Sequence, residues 1–113
     1  LITELMAEDY LNEWRYAEWY ARSKVNQNGW GRIKISQGMK AKKVAQALID
    51  HALQQIDEEL YFSKLRKWIE TKNKDYSRKY SQKELKWQIG RFCYQKGFPI
   101  EEFEQAWESL HPD

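Results

Sequence analysis

Few side chains in this sequence have the types and spacing that catalysis requires. Two pairs of adjacent carboxylates, Glu58-Glu59 and Glu101-Glu102, are the candidates for general acid–base chemistry. Adjacent residues on a helix point about 100° apart, so we interpret both pairs as acidic charge at helix N-termini. Cys93 lies on an apolar stripe, which predicts a buried and unreactive thiol. The sequence therefore favours a protein that is not an enzyme.

Metal-binding and cofactor-binding patterns are equally weak. His51 and His111 stand far apart, and neither residue four positions from His51 is a metal ligand. The single cysteine allows no internal disulfide and no Cys/His zinc site. The segment Gly29-Trp30-Gly31 is too short for a phosphate-binding glycine loop. We expect no metal and no cofactor.

Composition narrows the class of protein further. The chain has 113 residues, of which 15% are aromatic and 32% charged, so it can bury a core. A formal net charge of +2 argues against a strongly basic nucleic-acid arm. The five Gly and two Pro are too few for a turn-rich β fold, and no apolar run approaches the ~20 residues of a membrane span. These features predict a soluble cytoplasmic protein that does not bind membranes.

Apolar residues recur at helical spacing, and no segment alternates with period two, so the predicted fold is all-α. The segment Ile2–Met6 is interpreted as the end of one helix. Asp9-Tyr10 is predicted to break it, and Asn12 to cap the next. Because the chain starts at Leu1 inside an apolar periodic segment, we expect that a preceding portion is missing.

The remaining helices follow from apolar stripes and from capping signals. Trp19, Trp68, Trp87 and Trp107 lie at helical spacing, so we expect them in the core. Ser81 and Glu84 have the spacing of a capping box. Helices are predicted over residues 12–28, 30–41, 43–56, 58–73, 82–96 and 100–110.

The two halves of the chain overlay when one is shifted by 54 residues. The shift pairs residues of similar type: Ile33 with Trp87, Ile35 with Ile89, Met39 with Cys93, Lys42 with Lys96, Val44 with Phe98, Ile49 with Phe103, Ala52 with Ala106, and Leu53 with Trp107. One core position fails, because Leu48 meets Glu102. This pattern predicts tandem three-helix repeats in an elongated, curved helical array. The predicted units are residues 11–56 and 57–113, with residues 1–10 ending an earlier repeat. A six-helix globule with chance similarity stays open as an alternative.

Several short motifs together resemble those of a known family. They are LNEWRYAE at residues 11–18, YARSK at 20–24, GWGRI at 29–33 and Lys-Gly-Phe at 96–98. Their order and spacing are similar to those of the RecX regulatory proteins of bacteria. Lys42-Lys43 departs from that pattern, since the family usually has Lys-Gly there.

The resemblance implies a function. RecX proteins bind the recombinase RecA, or its filament on single-stranded DNA, and restrain its strand-exchange and coprotease activities in homologous recombination, DNA repair and the SOS response. It implies a protein that is not an enzyme and needs no cofactor. We expect a monomer, and whether DNA is contacted directly stays open.

Basic side chains are the candidate partner-binding residues, because a basic surface attracts phosphates and acidic protein patches. Any one of them could equally be the solvated side of a helix. Trp30, between two glycines, is expected to pack a turn, and Tyr76 and Tyr80 are the expected exposed aromatics. The candidates are Arg15, Arg22, Lys24, Arg32, Lys40, Lys42, Lys43, Arg91 and Lys96.

A second function class stays open, because three-helix units also occur as helix-turn-helix DNA-binding proteins. The third helix of each unit would then read the major groove. Residues 44–56 contain no Lys or Arg, however, and residues 101–113 carry acidic but no basic side chains. Phosphates would repel the last helix, so RecA regulation is the preferred hypothesis.

Overall fold

A computed structural model describes residues 2–111, with side chains from residue 11 onward. Six helices make up this part of the chain, and it contains no strand, which confirms the predicted all-α fold. The helices are α1 Ile2–Ser23, α2 Arg32–Ala41, α3 Gln46–Gln54, α4 Glu58–Tyr76, α5 Gln82–Gln95 and α6 Ile100–Leu110; α1 continues into a π-helical turn, Lys24–Asn28.

The first helix is longer than the sequence predicted. α1 passes through Asp9-Tyr10 without a break, so Asn12 lies in a helix interior and is not an N-cap. Asp, Tyr and Asn in a helix interior each cost less than about 1 kcal/mol of helix stability relative to alanine. Burial of Ala17 and Ala21 in the core outweighs that cost. The predicted apolar positions Ile2, Leu5 and Met6 lie in α1, but their side chains are outside the described part.

The end of this first long helix agrees with the prediction. Gly29 has a φ of 63°, in the left-handed region that glycine adopts without strain. Its N–H donates to the carbonyl of Val25 at 3.2 Å, and the Trp30 N–H donates to the carbonyl of Lys24 at 3.1 Å. Trp30 therefore packs in a turn, as expected.

The predicted repeat is visible in the helix boundaries. α2 ends at Ala41 and α5 at Gln95, while α3 begins at Gln46 and α6 at Ile100, which is the same offset of 54 residues. Both members of each of these offset pairs are buried: Ile35 and Ile89, Met39 and Cys93, Ile49 and Phe103, and Ala52 and Ala106. The principal extents of 64 × 24 × 21 Å make the molecule an elongated helical array, not a compact globule.

Two of the four tryptophans expected in the core are exposed. Trp19 is 58% exposed and Trp87 is 63% exposed, so their core assignment is wrong. Smaller side chains of the same helices occupy the core instead. Ala17 and Ala21 face inward on α1 and Ile89 faces inward on α5, so the two indoles point to solvent. Trp68 and Trp107 are half-buried against the core.

The capping box predicted at Ser81 and Glu84 is only partly present. Ser81 occupies the N-cap position of α5, but its side chain makes no capping hydrogen bond. The Ser81 carbonyl instead accepts from the N–H groups of Glu84 and Leu85, at 3.0 and 2.9 Å. The motif therefore predicted the start of α5 correctly, although the side-chain hydrogen bond that defines the motif is absent.

The turns that follow α2 and α5 have the same hydrogen bonds. After α2, Lys43 N–H donates to Lys40 and Val44 N–H to Met39; after α5, Gly97 donates to Tyr94 and Phe98 to Cys93. This is the Schellman motif, which needs a left-handed residue just past the helix. Gly97 fills that position with φ 102°, whereas its repeat equivalent Lys43 must adopt φ 64°. The departure from Lys-Gly at residues 42–43 therefore strains the first unit.

Replacing Lys43 with glycine should stabilise the protein. The left-handed backbone costs a residue with a side chain about 1–2 kcal/mol, and glycine's greater loss of entropy offsets part of the gain. We expect Lys43→Gly to raise the free energy of unfolding by about 0.5–1 kcal/mol in urea titrations followed by circular dichroism.

Lys42→Gly is the matched control, because Lys42 has φ −92° and gains nothing from glycine. It should lower the free energy of unfolding by about 0.5–1 kcal/mol. Equal destabilisation by the two substitutions would contradict the strained-turn interpretation.

Candidate partner-binding surface

The two three-helix units meet at a backbone contact. The Gly31 N–H donates to the Lys96 carbonyl at 2.8 Å, and the Ile33 N–H donates to the Gly97 carbonyl at 2.9 Å. A Cβ on Gly31 would lie 2.3 Å from the Gly97 carbonyl carbon, so glycine is required for this approach. The start of α2 is thereby fixed against the end of α5.

A polar cluster seals the same junction. The Arg32 guanidinium pairs with Glu58 and, through Nη1, with Glu102 Oε2 at 2.6 Å, and it lies 4.2 Å from the centre of the Tyr61 ring. The fully buried Tyr61 hydroxyl donates to Glu102 and accepts from the Arg32 backbone N–H at 3.0 Å. Every polar atom of the tyrosine therefore has a partner.

Burial and hydrogen bonding set the protonation of this cluster. Burial raises the pKa of Tyr61, and its hydrogen bond to Glu102 raises it further, so the phenol stays protonated. Burial alone would lower the pKa of Arg32, but the hydrogen bond to Glu102 and the charges of Glu102 and Glu58 raise it above its ordinary value. The junction thus holds a fixed cation between two carboxylates.

This cluster explains the one failed pair of the repeat. Leu48 is buried in the first unit, while its equivalent Glu102 faces Arg32 across the junction. A leucine at position 102 would leave Arg32 with only the exposed carboxylate of Glu58. The second unit therefore has, in place of a core leucine, a glutamate that joins the second unit to the first.

Lysines and aromatic rings form a continuous band beside the junction. We call this surface the basic–aromatic band and define it by residues Lys24, Trp30, Lys34, Trp68, Lys72, Phe92 and Lys96. All seven side chains are half-buried. Band lysines thus stand over aromatic faces, where cation–π attraction contributes about 0.5–1 kcal/mol per contact at exposed sites.

The first unit contributes one end of the band. Lys24 Nζ lies 4.8 Å from the Trp30 ring centre, and Lys34 Nζ lies 4.7 Å from it. The backbone of Lys34 stands close to Gly97, since a Cβ on that glycine would lie 2.6 Å from the Lys34 backbone nitrogen. Trp30 is therefore flanked by two lysines next to the point where the units touch.

The second unit contributes the other end. Lys96 Nζ lies 4.8 Å from the Trp68 ring centre, and Trp68 packs edge-on against Phe92 with ring centres 5.3 Å apart. Lys72 Nζ lies 4.3 Å from the Phe92 ring centre. The Trp68 indole N–H donates to the Gly29 carbonyl at 2.8 Å, which ties this end to the first unit's turn.

The charge of the band is largely unpaired. Among the described residues, Lys72 pairs with Asp75 at 3.7 Å, and Lys24, Lys34 and Lys96 have no carboxylate within ion-pair distance. Ordered positive charges beside aromatic faces are suited to an anionic partner surface. The band is thus the candidate site.

Other chemistries find no site in the described part of the chain. Burial raises the pKa of the Cys93 thiol to about 12, as its position on the apolar stripe predicted. No group of three or more His, Cys, Asp or Glu is placed to hold a metal ion among residues 11–111, whose side chains are described. Over residues 2–111, no helix is both long and apolar enough to cross a membrane.

Comparisons with known proteins agree with the resemblance. Residues 12–53 match the family model described as RecX, second three-helix domain. Proteins named regulatory protein RecX from Bacillus mycoides and Bacillus cereus are each 28% identical over 110 residues, which is 97% of this chain and 40% of theirs. The fold matches the crystal structure of RecX from Lactobacillus salivarius with a TM-score of 0.86, at 23% identity, over 99% of this chain and 72% of that one.

The chain is thus similar to RecX proteins over 97% of its length, and residues 12–53 match one domain of that family. It spans about 40% of the length of these curated RecX relatives, which are named as regulatory proteins.

Of the residues predicted for a RecX-type partner site, only Lys24 and Lys96 lie in the band. Arg15 and Arg22 are exposed on α1, and Arg91 is exposed on α5, with its guanidinium 5.6 Å from the Trp87 ring centre. Arg32 is occupied by the junction carboxylates. The exposed lysines Lys40, Lys42 and Lys43 form a separate basic group at the turn between α2 and α3.

Sequence reasoning missed Lys34, Lys72 and the surface face of Trp68. Lys72 and Trp68 contact residues from other parts of the chain, so no local spacing reveals those contacts. One signal was available: Trp30 was noted as a turn residue, and Lys34 follows it by four positions.

Removing the charge of Glu102 should loosen the junction between the two units. Glu102→Gln replaces charge-assisted hydrogen bonds to Arg32 and Tyr61 with neutral ones, so we expect the free energy of unfolding to fall by about 1–2 kcal/mol. Urea titrations at neutral pH measure the change. Glu108→Gln, at an exposed site on the same helix, is the control and should change it by less than about 0.5 kcal/mol. Equal effects would show that Glu102 has no special role.

Proposed function

We propose that the chain binds RecA, or its filament on single-stranded DNA, and restrains the strand-exchange and coprotease activities of the recombinase. It would act in the cytoplasm as a monomer, catalysing no reaction and using no cofactor. Similarity to proteins named regulatory protein RecX, and the match of residues 12–53 to a RecX domain, support this proposal. The observation that carries it is the basic–aromatic band, which runs across the junction of an elongated array.

The shape of the molecule suits a polymeric partner. An array 64 Å long can touch neighbouring protomers of a filament at once, because the junction holds its two units together. Two weak contacts joined in this way gain an effective-concentration advantage, so no single contact has to be tight. We also propose that residues 11–56 and 57–113 are the repeating units, and that residues 1–10 belong to a preceding one.

The chemistry of the band suits an anionic partner. Lys24 and Lys34 flank Trp30, and Lys96 covers Trp68, so these lysines are held near fixed rings. Such a surface attracts acidic protein patches or filament phosphates by long-range steering, and this attraction weakens with salt. Direct contact with DNA in the filament fits the same chemistry.

The helix-turn-helix alternative has less support. α3 carries no Lys or Arg, while α6 presents Glu101 and Glu108 to solvent. A recognition helix of this kind would be repelled by backbone phosphates. Sequence-specific binding to duplex DNA is therefore an outcome of the test and not a second proposal.

Pull-down against RecA, with and without single-stranded DNA and at two salt concentrations, tests the proposal. The triple variant Lys24→Glu, Lys34→Glu, Lys96→Glu should reduce binding at least about tenfold, because it inverts the band's charge. The single-stranded-DNA-dependent ATPase of RecA should be inhibited by the unmodified chain and not by this variant. Circular dichroism should show unchanged helix content.

The charge-matched comparison is Lys40→Glu, Lys42→Glu, Lys43→Glu, which inverts the separate basic group at the α2–α3 turn. It should reduce binding by less than about threefold, because it leaves the band intact. Equal losses in the two variants would remove the band from the proposal. Absence of RecA binding, together with tight binding to a defined duplex, would favour the DNA-reading alternative.

A further inference from the structure

An apolar groove lies between α5 and α6. Trp87, Tyr94 and Ile100 line it and are 63%, 54% and 62% exposed, which is unusual for large apolar side chains so close together. Gly90 and Phe103 form its floor. A Cβ on Gly90 would lie 3.0 Å from the Phe103 ring, so the missing side chain leaves that ring open to the groove.

The rim of the groove is basic. Lys83, Lys86 and Arg91 border it, and Arg91 leans over Trp87. Glu104 is the acidic member of the lining, and Lys86 Nζ pairs with it at 2.9 Å. Lys83 and Arg91 are therefore available to interact with a molecule that binds in the groove.

This groove is separate from the basic–aromatic band. Trp87, Arg91 and Tyr94 follow one another at spacings of four and three, so they share one face of α5. Phe92 and Lys96 of the band lie roughly 140–180° around the helix from Trp87. One helix thus presents two surfaces of different chemistry.

We propose that the groove binds an amphipathic α-helix of a partner protein, with apolar residues on one face and acidic residues beside them. A hydrophobic groove between two packed helices can accept a third helix through anchors at i, i+3, i+4 and i+7. Trp87, Tyr94 and Ile100 supply its apolar wall, and Lys83 and Arg91 pair with the flanking carboxylates. The inference does not depend on RecA being the partner.

A second copy of this chain fits the groove less well. A symmetric dimer through this face would bring two basic rims together, and like charges repel. Three partly exposed side chains also cover far less than the about 800 Å² per partner that a stable interface buries. Charge and area both favour a short acidic helix.

Fluorescence anisotropy with a labelled synthetic peptide tests this proposal. The peptide has about 15 residues, enough for a marginal helix, with Leu and Phe at the anchor positions and Glu elsewhere. We expect it to bind at least about tenfold tighter than the same peptide with Lys in place of Glu. We also expect it to bind at least about tenfold tighter than a scrambled sequence of equal composition.

Matched variants locate the site. Trp87→Ala should weaken peptide binding at least about tenfold, whereas Trp19→Ala, at another exposed tryptophan on α1, should not. Arg91→Glu should weaken it, and Arg15→Glu, an exposed arginine on α1, should leave it unchanged. Circular dichroism of each variant establishes that the helices remain.

Three results would overturn the proposal. The first is absence of binding by the acidic peptide at millimolar protein. The second is equal binding of the acidic and basic peptides, or equal effects of Trp87→Ala and Trp19→Ala. The third is concentration-dependent dimerisation in sedimentation velocity that Trp87→Ala abolishes, which would assign the groove to a second copy of the chain.

Discussion

The contact between the start of α2 and the second unit is the constraint on which the rest of the structure depends. Backbone hydrogen bonds from Gly31 and Ile33 fix the position, and Arg32 closes it through Glu58 and Glu102. Each three-helix unit is too small to bury a large core by itself, so the array relies on contacts between neighbouring units. The band exists because this contact brings Trp30 and Lys34 next to the end of α5.

Much of the fold could be predicted from local patterns. The 54-residue offset between the halves predicted which positions are buried, because the same stripe recurs on α2 and α5 and on α3 and α6. The one mismatch, Leu48 against Glu102, marked the place where the second unit meets the first. The unusual turn at Lys43 was also visible in the sequence as a departure from Lys-Gly. Its physical consequence is that Lys43 adopts a left-handed backbone conformation.

What could not be predicted depends on contacts between helices. The continuity of α1 past Asn12 is decided by packing that outweighs local propensity. Helical periodicity placed Trp19 and Trp87 on apolar stripes, but it does not indicate how much of each stripe the neighbouring helices cover. The band was only partly found, through Lys24 and Lys96. Lys72 reaches Phe92 on a different helix, whereas Lys34 lies only four positions after Trp30 and was overlooked.

The junction should hold the two units as one rigid body, and a distance measured between the units tests this most directly. Spin labels at Ala47 on α3 and Gln105 on α6 occupy exposed positions, while Cys93 is buried. For a rigid junction we expect a single narrow distribution of label distances by pulsed electron resonance, only a few ångströms wide. A broad distribution, or two separate populations, would show that the units move independently and would contradict it.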